Sequence, residues 1–294
     1  MTHEWTTRDA AATLRMPTAA DDKYSRGVLG IRTGSPRYPG AAVLGVEAAH
    51  RTGLGMVRYL GAERPTALVL ARRPETVAAD GRVQAWLIGS GTDATERSAA
   101  ETAALRGILD AEAPVVVDAG SLDLVPARTG AAPIVVTPHD RELAVLRAAA
   151  HLEPVPLSTP HERDRAAADT AAALGVTVLL KGSRTTVATP AGVMRTIVSP
   201  TPWLATAGTG DVLGGILGAL VAGAAATAAS RAADAGAGDR AALAALDLGP
   251  IAATAALVHG LAAAAASDAR DGGPITALDV AEAVASVVGA LLHP

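Results

Sequence analysis

Apolar residues along the chain fall into six short, nearly continuous runs, with alanine-rich segments of helical spacing between several of them. The runs are GVLGI, TALVLA, AWLIGS, PVVVDA, PIVVTP and VTVLLKG, which begin at residues 27, 66, 85, 114, 133 and 176. The helical segments cover residues 40–52, 94–110, 140–149 and 161–174. Continuous apolar runs are typical of strands buried on both faces. Their alternation with helices predicts an α/β fold, in which helices flank both faces of a central, mostly parallel sheet.

The pattern changes after residue 176. The stretch VTVLLKGSRTTVATPAGVMRTIVS contains three strand-like runs interrupted by GSR and PAG, which predicts hairpins in an antiparallel part of the sheet. From Asp211 onward the spacing predicts helix throughout, with a loop in the low-complexity stretch 222–249. Residues 1–22 have the character of a tail or arm, so we expect a single domain over residues 23–294.

Composition restricts the core and the class of protein. Half of the residues are hydrophobic, but only 2% are aromatic and none is Phe. Small aliphatic side chains must therefore build the core, and many close contacts are needed because each buries little area. A net charge of −4 gives no sign of the basic surface that binds nucleic acid. The absence of Cys excludes disulfides, thiolate metal sites and thiol catalysis.

Two uncharged stretches, residues 212–230 and 248–267, are long enough to cross a bilayer. Both consist mainly of Ala and Gly, whose transfer into lipid is only marginally favourable, so we interpret them as core helices. The first residues have mixed charge and no apolar segment, which argues against a signal peptide. We therefore expect a cytoplasmic protein without a membrane partner.

Polar residues cluster where the predicted strands end. Gly89 and Gly91 follow one strand and Asp118 the next, while Thr137, His139, Lys181 and Gly182 follow two more. His139 alone would be interpreted as a turn histidine bonded to backbone, since most strands end in a polar turn. Ligands of open α/β sheets bind beyond the carboxyl ends of the strands, so several such ends in one sheet predict a common cleft.

The stretch ATAGTGDVLGGILGAL begins at residue 205 and places Gly208, Thr209 and Gly210 before an acid, Asp211, and an apolar helix. Asp211 can be an ordinary capping acid of that helix. Alternatively, the glycines and the helix N-terminus form an anion site with Asp211 as a base at its edge. We favour the phosphate site, because a residue that only caps needs no glycine on both sides of Thr209, and we expect Asp211 to cap as well.

Five motifs occur together in this chain: YPGAA…RTGLGMV, IGSG, TPHDRE, LLKGSRTT and ATAGTGDVLGG. Their order resembles that of the ADP- or ATP-dependent NAD(P)H-hydrate dehydratases, whose fold is ribokinase-like, and the resemblance covers the chain from Lys23 to its end. GTGD is shared with many kinases of that superfamily, and the combination is more specific. The epimerase domain that some members carry has no counterpart here, so a stand-alone dehydratase is expected.

The resemblance implies a repair reaction. Hydrated NADH or NADPH (NADHX or NADPHX) is phosphorylated on its ring hydroxyl by ADP or ATP, and loss of phosphate restores the reduced nicotinamide. Asp211 is then the base, Gly208, Thr209 and Gly210 hold the phosphoryl group, and Mg²⁺ bridges the phosphates. The implied nucleotide site is Lys181, Gly182, Ser183, Arg184, Thr185 and Gly210. The implied substrate site is Ala41, Gly91, His139 and Asp211. Glu142 and Asp118 are expected to contact these residues and not the substrate itself.

The chain departs from the family pattern mainly on the substrate side. It has DAGSLD where the family shows DADALN, so Gly120 replaces an acid, and GSGTD, with Thr92 and Asp93, where the family shows GPGLG. TPHDRE stands for TPHPGE, and Trp203 replaces a small residue. Two alternatives therefore stay open: a small-molecule kinase of the same superfamily, and a catalytically silent nucleotide-binding protein. Family members are commonly tetrameric, so we expect a homo-oligomer.

Overall fold

A computed structural model describes residues 2–236 and 238–293. For residues 1, 237 and 294, the predictions made above lie outside the described residues. Nine strands of these residues form one sheet. The strands are β1 Thr2–Glu4, β2 Val28–Arg32, β3 Met56–Tyr59, β4 Ala85–Ile88, β5 Val115–Val117, β6 Ile134–Val136, β7 Thr177–Leu180, β8 Arg184–Ala188 and β9 Met194–Val198. The helices are α1 Thr7–Thr13, α2 Pro39–Thr52, α3 Glu63–Arg72, α4 Ala99–Leu109, α5 Asp140–Ala149, α6 Pro160–Leu174, α7 Thr209–Asp234, α8 Asp239–Ala244, α9 Leu248–Asp268 and α10 Ala277–Leu292. Two 3₁₀ segments cover Ala119–Ala127 and Pro202–Leu204.

The sheet order is β1-β9-β8-β7-β6-β5-β4-β2-β3. Every pairing is parallel except the two that β8 makes, with β7 and with β9. The predicted α/β sheet and its antiparallel hairpins are therefore confirmed. The hairpins allow β7, β8 and β9 to be sequence neighbours without crossover helices, whereas the other strands need them.

The prediction of a strand at TALVLA is wrong, since this run lies in helix α3. Its buried residues, Pro65 and Val69, are four positions apart on one helix face, while Leu68 is exposed. A short apolar run cannot be assigned to strand or helix by periodicity alone. The sheet instead uses β3, whose Arg58 donates to the carbonyls of Ala79, Asp80 and Arg82.

One predicted helical boundary also differs from the structure. Helix α4 begins at Ala99, because Ser98 accepts a hydrogen bond from the N–H of Glu101 and caps it, and not at residue 94. The prediction of helices after residue 211 with a loop within residues 222–249 is confirmed. This segment divides into α7, α8, α9 and α10, with breaks after Asp234 and Ala244 inside that range and another after Asp268.

The core consists of two apolar layers, one on each face of the sheet. Leu87 and Val116 point to the face that α2, α7, α9 and α10 cover, whereas Ile88 and Val117 point to the face of α4, α5 and α6. Helices α7 and α9 are long and apolar enough to cross a membrane, but 67% and 72% of their most apolar stretches are buried inside the protein. They pack as core helices, as their composition predicted.

The N-terminal residues lie against the same fold. Strand β1 adds to the sheet edge in parallel with β9, and α1 packs against α9. The indole Nε1 of Trp5 donates to Thr254 Oγ1 at 3.1 Å. These contacts join the first residues of the chain to its C-terminal helices.

Candidate functional site

The start of α7 is built as a close-fitting turn. Gly208 precedes the helix with φ 91°, a left-handed conformation that glycine adopts without strain. A Cβ on Gly208 would lie 2.6 Å from Leu44 Cδ1 and 3.0 Å from Ala277 Cβ. The Thr209 hydroxyl donates to the carbonyls of Leu204 and Thr206 and holds the turn. Among the described residues, the N–H groups of Thr209 and Asp211 already donate to the carbonyls of Thr206 and Gly208. Those of Gly208 and Gly210 have no backbone partner, so this turn can accept an anion.

Asp211 is the third residue of α7. Within the described residues, no group donates a hydrogen bond to its carboxylate, and Gly208 makes no side-chain cap. The expectation that Asp211 caps the helix by a hydrogen bond is therefore wrong. Burial, and secondly the charge of Asp118, raise the pKa of Asp211 to about 7, although Lys181 acts in the opposite direction. A carboxyl group with this pKa can take up a proton near neutral pH.

Asp118, which follows β5, is buried, and both of its carboxylate oxygens accept hydrogen bonds. Its Oδ2 accepts from Ser90 Oγ at 3.0 Å, and its Oδ1 accepts from Thr137 Oγ1 and Lys181 Nζ, both at 2.8 Å. These partners follow β4, β6 and β7, so four adjacent strand ends meet at one carboxylate. The sequence predicted that these ends share a cleft, and the structure brings them together.

Lys181 lies between this carboxylate and the start of α7. Its Nζ is 3.4 Å from Glu142 Oε2 and 3.7 Å from the position that a Cβ on Gly210 would take. Burial acts to lower the pKa of the Lys181 amine, but the charges of Asp118 and Glu142 outweigh burial and raise it. The amine is thus held as a cation next to the anion-accepting turn.

His139 and Glu142 begin α5 in a reciprocal capping arrangement. The Nδ1 of His139 accepts from the N–H groups of Arg141 and Glu142, and Glu142 Oε2 accepts from the N–H of His139 at 2.7 Å. The interpretation of His139 as a turn histidine bonded to backbone is therefore correct for Nδ1. Its Nε2 lies 3.7 Å from Glu142 Oε1, and half of the side chain is exposed.

A cleft of about 700 Å³ opens beside Lys181, between the starts of α5 and α6. Of the residues expected to bind nucleotide, four line it: Lys181, Gly182, Ser183 and Arg184. Thr185 and Gly210 do not, and the guanidinium of Arg184 already pairs with Asp164. Lys181 is the residue that connects this cleft to the carboxylates.

Arg163 also lines the cleft, and the sequence reasoning missed it. Its guanidinium pairs with Asp140 and donates to the carbonyl of Lys181 at 2.8 Å. Asp140 lies in TPHDRE, at a position where this chain departs from the family pattern. Its carboxylate pairs with Arg163. Ser90 and Thr137 were likewise not predicted as site residues, although Ser90 lies in IGSG and Thr137 in TPHDRE.

Ala41 and Gly91 form the opposite side of the site. A Cβ on Gly91 would collide with Ala41 Cβ, so the first turn of α2 and the loop after β4 are in direct contact. The loop also carries Ser90, which binds Asp118. From α2, Gly45 faces the backbone carbonyl of Asp211. Ala41, Gly91 and Asp211 are thus joined through neighbouring elements.

Metal coordination by the protein alone is not supported in the part of the chain that the structure describes. Residues 2–236 and 238–293 hold no group of three or more His, Asp or Glu side chains arranged to bind a metal ion. A divalent cation here would need ligands from a bound phosphate, as is usual for Mg²⁺ in phosphoryl transfer.

A family model for NAD(P)H-hydrate dehydratase matches residues 29–284. The bifunctional NAD(P)H-hydrate repair enzyme Nnr of Mycobacterium tuberculosis is 45% identical over 222 residues, which are 71% of this chain and 43% of that protein. The chain thus spans less than half of that relative. The ADP-dependent (S)-NAD(P)H-hydrate dehydratase of Bacillus subtilis is 33% identical over 72% of this chain and 78% of its own.

Two solved structures share the fold over nearly the whole chain. The ADP/ATP-dependent NAD(P)H-hydrate dehydratase from Bacillus subtilis, co-crystallised with ATP and Mg²⁺, has a TM-score of 0.79 at 25% identity and covers 99% of both chains. A ribokinase-like superfamily protein from Enterococcus faecalis has a TM-score of 0.76 at 21% identity, covering 100% of this chain and 97% of that one. The ribokinase-like fold expected from the motifs is confirmed.

Proposed function

Since the chain belongs to the NAD(P)H-hydrate dehydratase family, we propose that it repairs hydrated NADH or NADPH in a reaction that consumes ADP or ATP. The enzyme is then a hydro-lyase acting on small nucleotides. One observation carries the assignment to this site: the carboxylate of Asp211 has no hydrogen-bond donor among the described residues, has a pKa of about 7, and lies in the first turn of a helix that begins at an anion-accepting glycine. A base and a phosphoryl site are both needed to phosphorylate a hydroxyl group.

The proposed chemistry has two steps. Asp211 takes the proton of the ring hydroxyl, the hydroxyl oxygen forms a bond to the terminal phosphorus, and the bond to the departing AMP or ADP breaks. The ring nitrogen then supplies its electron pair, the C–O bond breaks and inorganic phosphate leaves. Loss of a proton from the neighbouring carbon restores the reduced nicotinamide. The first step makes a good leaving group from a poor one.

The phosphoryl group would be held at the start of α7. The N–H groups of Gly208 and Gly210 and the positive end of the helix dipole would stabilise the transferring charge, and the N–H of Thr209 would contribute on leaving the Thr206 carbonyl. Lys181 supplies a positive charge from the opposite side, and its pairing with Asp118 and Glu142 keeps it in place. The contacts with Leu44 and Ala277 leave no room for a side chain at Gly208, so a phosphate can approach the backbone there.

The nucleotide would occupy the 700 Å³ cleft beside the segment from Lys181 to Thr185. Mg²⁺ bound to its phosphates offsets their negative charge during transfer. No protein ligand to that ion is assigned, in keeping with the absence of a metal-binding cluster in residues 2–236 and 238–293. The hydrated dinucleotide would approach from the side of Ala41 and Gly91, with His139 at the boundary of the two sites.

The organisation of the molecule is also a proposal. We infer that residues 23–294 form the dehydratase domain and that residues 1–22 are an N-terminal arm, which packs into that domain through the β1–β9 pairing and the buried Ala10. A cytoplasmic homo-oligomer, first tested as a tetramer, fits the family and the alanine-rich helices. Light scattering on the purified chain measures that state directly.

The decisive experiment supplies hydrated NADPH with ADP or ATP, and records the absorbance of reduced nicotinamide together with released inorganic phosphate. A dehydratase produces both in equal amounts. A kinase consumes nucleotide but leaves the phosphate on its product, so neither signal rises. A silent binding protein binds nucleotide in calorimetry and turns nothing over. Comparing ADP with ATP, and hydrated NADH with hydrated NADPH, then identifies the preferred substrates.

A further inference from the structure

The loop after β4 and the loop after β5 are joined by an arginine that the proposed mechanism does not use. The side chain of Arg97 is only 6% exposed. Its Nη1 donates to the Gly120 carbonyl at 2.5 Å, and its Nη2 is 2.6 Å from Asp123 Oδ2. Its Nε donates to Thr102 Oγ1 at 3.2 Å. All three guanidinium nitrogens therefore have partners, and one of these partners is a backbone carbonyl two residues from Asp118.

The backbone between Asp118 and that carbonyl is strained. Ala119 has φ 41°, in the left-handed region where a Cβ is disfavoured. Such a conformation persists only where the surroundings hold it on both sides. On one side, Asp118 is bonded to Ser90, Thr137 and Lys181. On the other side, Arg97 holds Gly120.

Gly120 itself has no room for a side chain. A Cβ there would collide with the carbonyl of Thr92 and would lie 2.6 Å from its hydroxyl oxygen. The two loops therefore touch through backbone at this point. The departures from the family pattern at Gly120 and at Thr92 belong to one contact, and Arg97 adds side-chain hydrogen bonds to Gly120 and Asp123 beside it.

We propose that Arg97 is a positioning residue that holds the carboxylate of Asp118 beside Lys181 and Asp211 by clamping Gly120 against the strain at Ala119. Through Asp118, it sets the electrostatic surroundings of the base that the proposed function assigns to Asp211. Arg97 does not touch the substrate in this arrangement. Its effect is transmitted along three backbone residues.

The consequence can be measured at Asp211. The charged groups that act on it from the packed elements are Asp118 after β5 and Lys181 after β7. Behind Lys181 lie Glu142 on α5, which pairs with it, and His259 on α9, which is buried with a pKa lowered to about 4. When Arg97 is removed, Ala119 relaxes and Asp118 moves away. Asp211 then loses a neighbouring negative charge, so its pKa falls.

The test replaces Arg97→Met, which keeps the length of the side chain and removes the fork of donors. The carboxyl carbon of Asp211, assigned by its loss in Asp211→Asn, is titrated by NMR in the ligand-free protein. Its pKa should be lower in Arg97→Met than in the parent, and kcat should fall by about 10-fold at most, because the effect is transmitted through Asp118. Arg106→Met, on an exposed arginine of α4, should change neither quantity.

A second variant separates positioning from general stability. In Arg97→Met/Ala119→Gly, glycine adopts the left-handed conformation without strain, so Asp118 keeps its place and the pKa of Asp211 returns toward the parent value. An unchanged pKa in Arg97→Met would overturn the proposal, whatever happens to the melting temperature. The NMR titration needs no turnover. If the parent protein proves inactive while the pKa still falls, the proposed function fails and the positioning role stands.

Discussion

The end of β5 and the start of α7 each present one aspartate to the same cleft, and the two side chains are in opposite conditions. Asp118 accepts three hydrogen bonds and is fixed beside a lysine. Asp211 accepts none from the residues that the structure describes, and burial together with Asp118 raises its pKa to about 7. One site thus obtains from the same type of residue both an anchor that holds Lys181 and a proton acceptor with a raised pKa.

The largest effect is expected when Asp211, the aspartate with the raised pKa, is replaced. Asp211→Asn should lower kcat by about 10²- to 10⁴-fold, the usual contribution of a general base, because the amide cannot take the hydroxyl proton. Nucleotide binding, followed by calorimetry, should remain. Asp169→Asn on the surface of α6 serves as the matched control. Full turnover in Asp211→Asn would show that another group is the base.

The same substitution should change the pH dependence of stability. An aspartate in the unfolded chain ionises near its ordinary pKa of 3.8, whereas folded Asp211 keeps its proton to about 7. Between these values the folded state binds more protons, so the free energy of unfolding falls as pH rises from about 4 to 7. Asp211→Asn should therefore be more stable than the parent at pH 8, by about 4 kcal/mol at most, and equally stable near pH 4. Urea unfolding at both pH values measures this, and a constant difference across pH would contradict it.

The next effect concerns the turn that accepts the phosphoryl group. Gly208→Ala should weaken turnover by about 10²-fold, because the new methyl group collides with Leu44 and Ala277 and displaces the backbone donors. Gly192→Ala is the matched control, since Gly192 also has a positive φ, 79°, but has no neighbour near its Cβ position. Both variants should lose about 1–2 kcal/mol of stability from the backbone conformation. Equal losses of activity in the two variants would remove the special role of Gly208.

The smallest effect is expected when Asp118, the aspartate held by hydrogen bonds, is replaced. Asp118→Asn removes the negative charge that acts on Asp211, so the acid limb of the pH profile of kcat should move to lower pH. Burial, the larger cause of the raised pKa, remains, and the limb should stay above the ordinary value of 3.8. We expect kcat at pH 8 to fall by only about 10-fold through the loosened Lys181. A limb that moves to higher pH would mean that Asp118 acts on another group.

Much of the architecture could be predicted from local pattern. Five of the six apolar runs are strands, the hairpin section is where GSR and PAG place it, and α5 covers the predicted residues. The failures share a cause. TALVLA is apolar along its length, and only the helix face formed by Pro65 and Val69 distinguishes it from a strand. The start of α4 was missed because the cap at Ser98 depends on one local hydrogen bond.

For the site, the motifs indicated the right region but not the relations within it. Lys181 was expected at the nucleotide, and the structure shows it also bonded to Asp118 and Glu142. Asp211 was expected to cap its helix, and its carboxylate makes no such bond. Arg97 and Arg163 carried no signal in the sequence, because each matters only through a partner from a distant segment.

The sequence alone determined the alternation of strands and helices, the small-residue core and the glycine turn before α7, since periodicity, side-chain volume and backbone freedom are properties of neighbouring residues. Only the tertiary structure decided which of the two aspartates is held by hydrogen bonds and which is left free near pH 7. A pKa depends on burial and on charges within a few ångströms. In this protein those charges are Asp118 and Lys181, which follow two different strands, and folding alone brings them to Asp211.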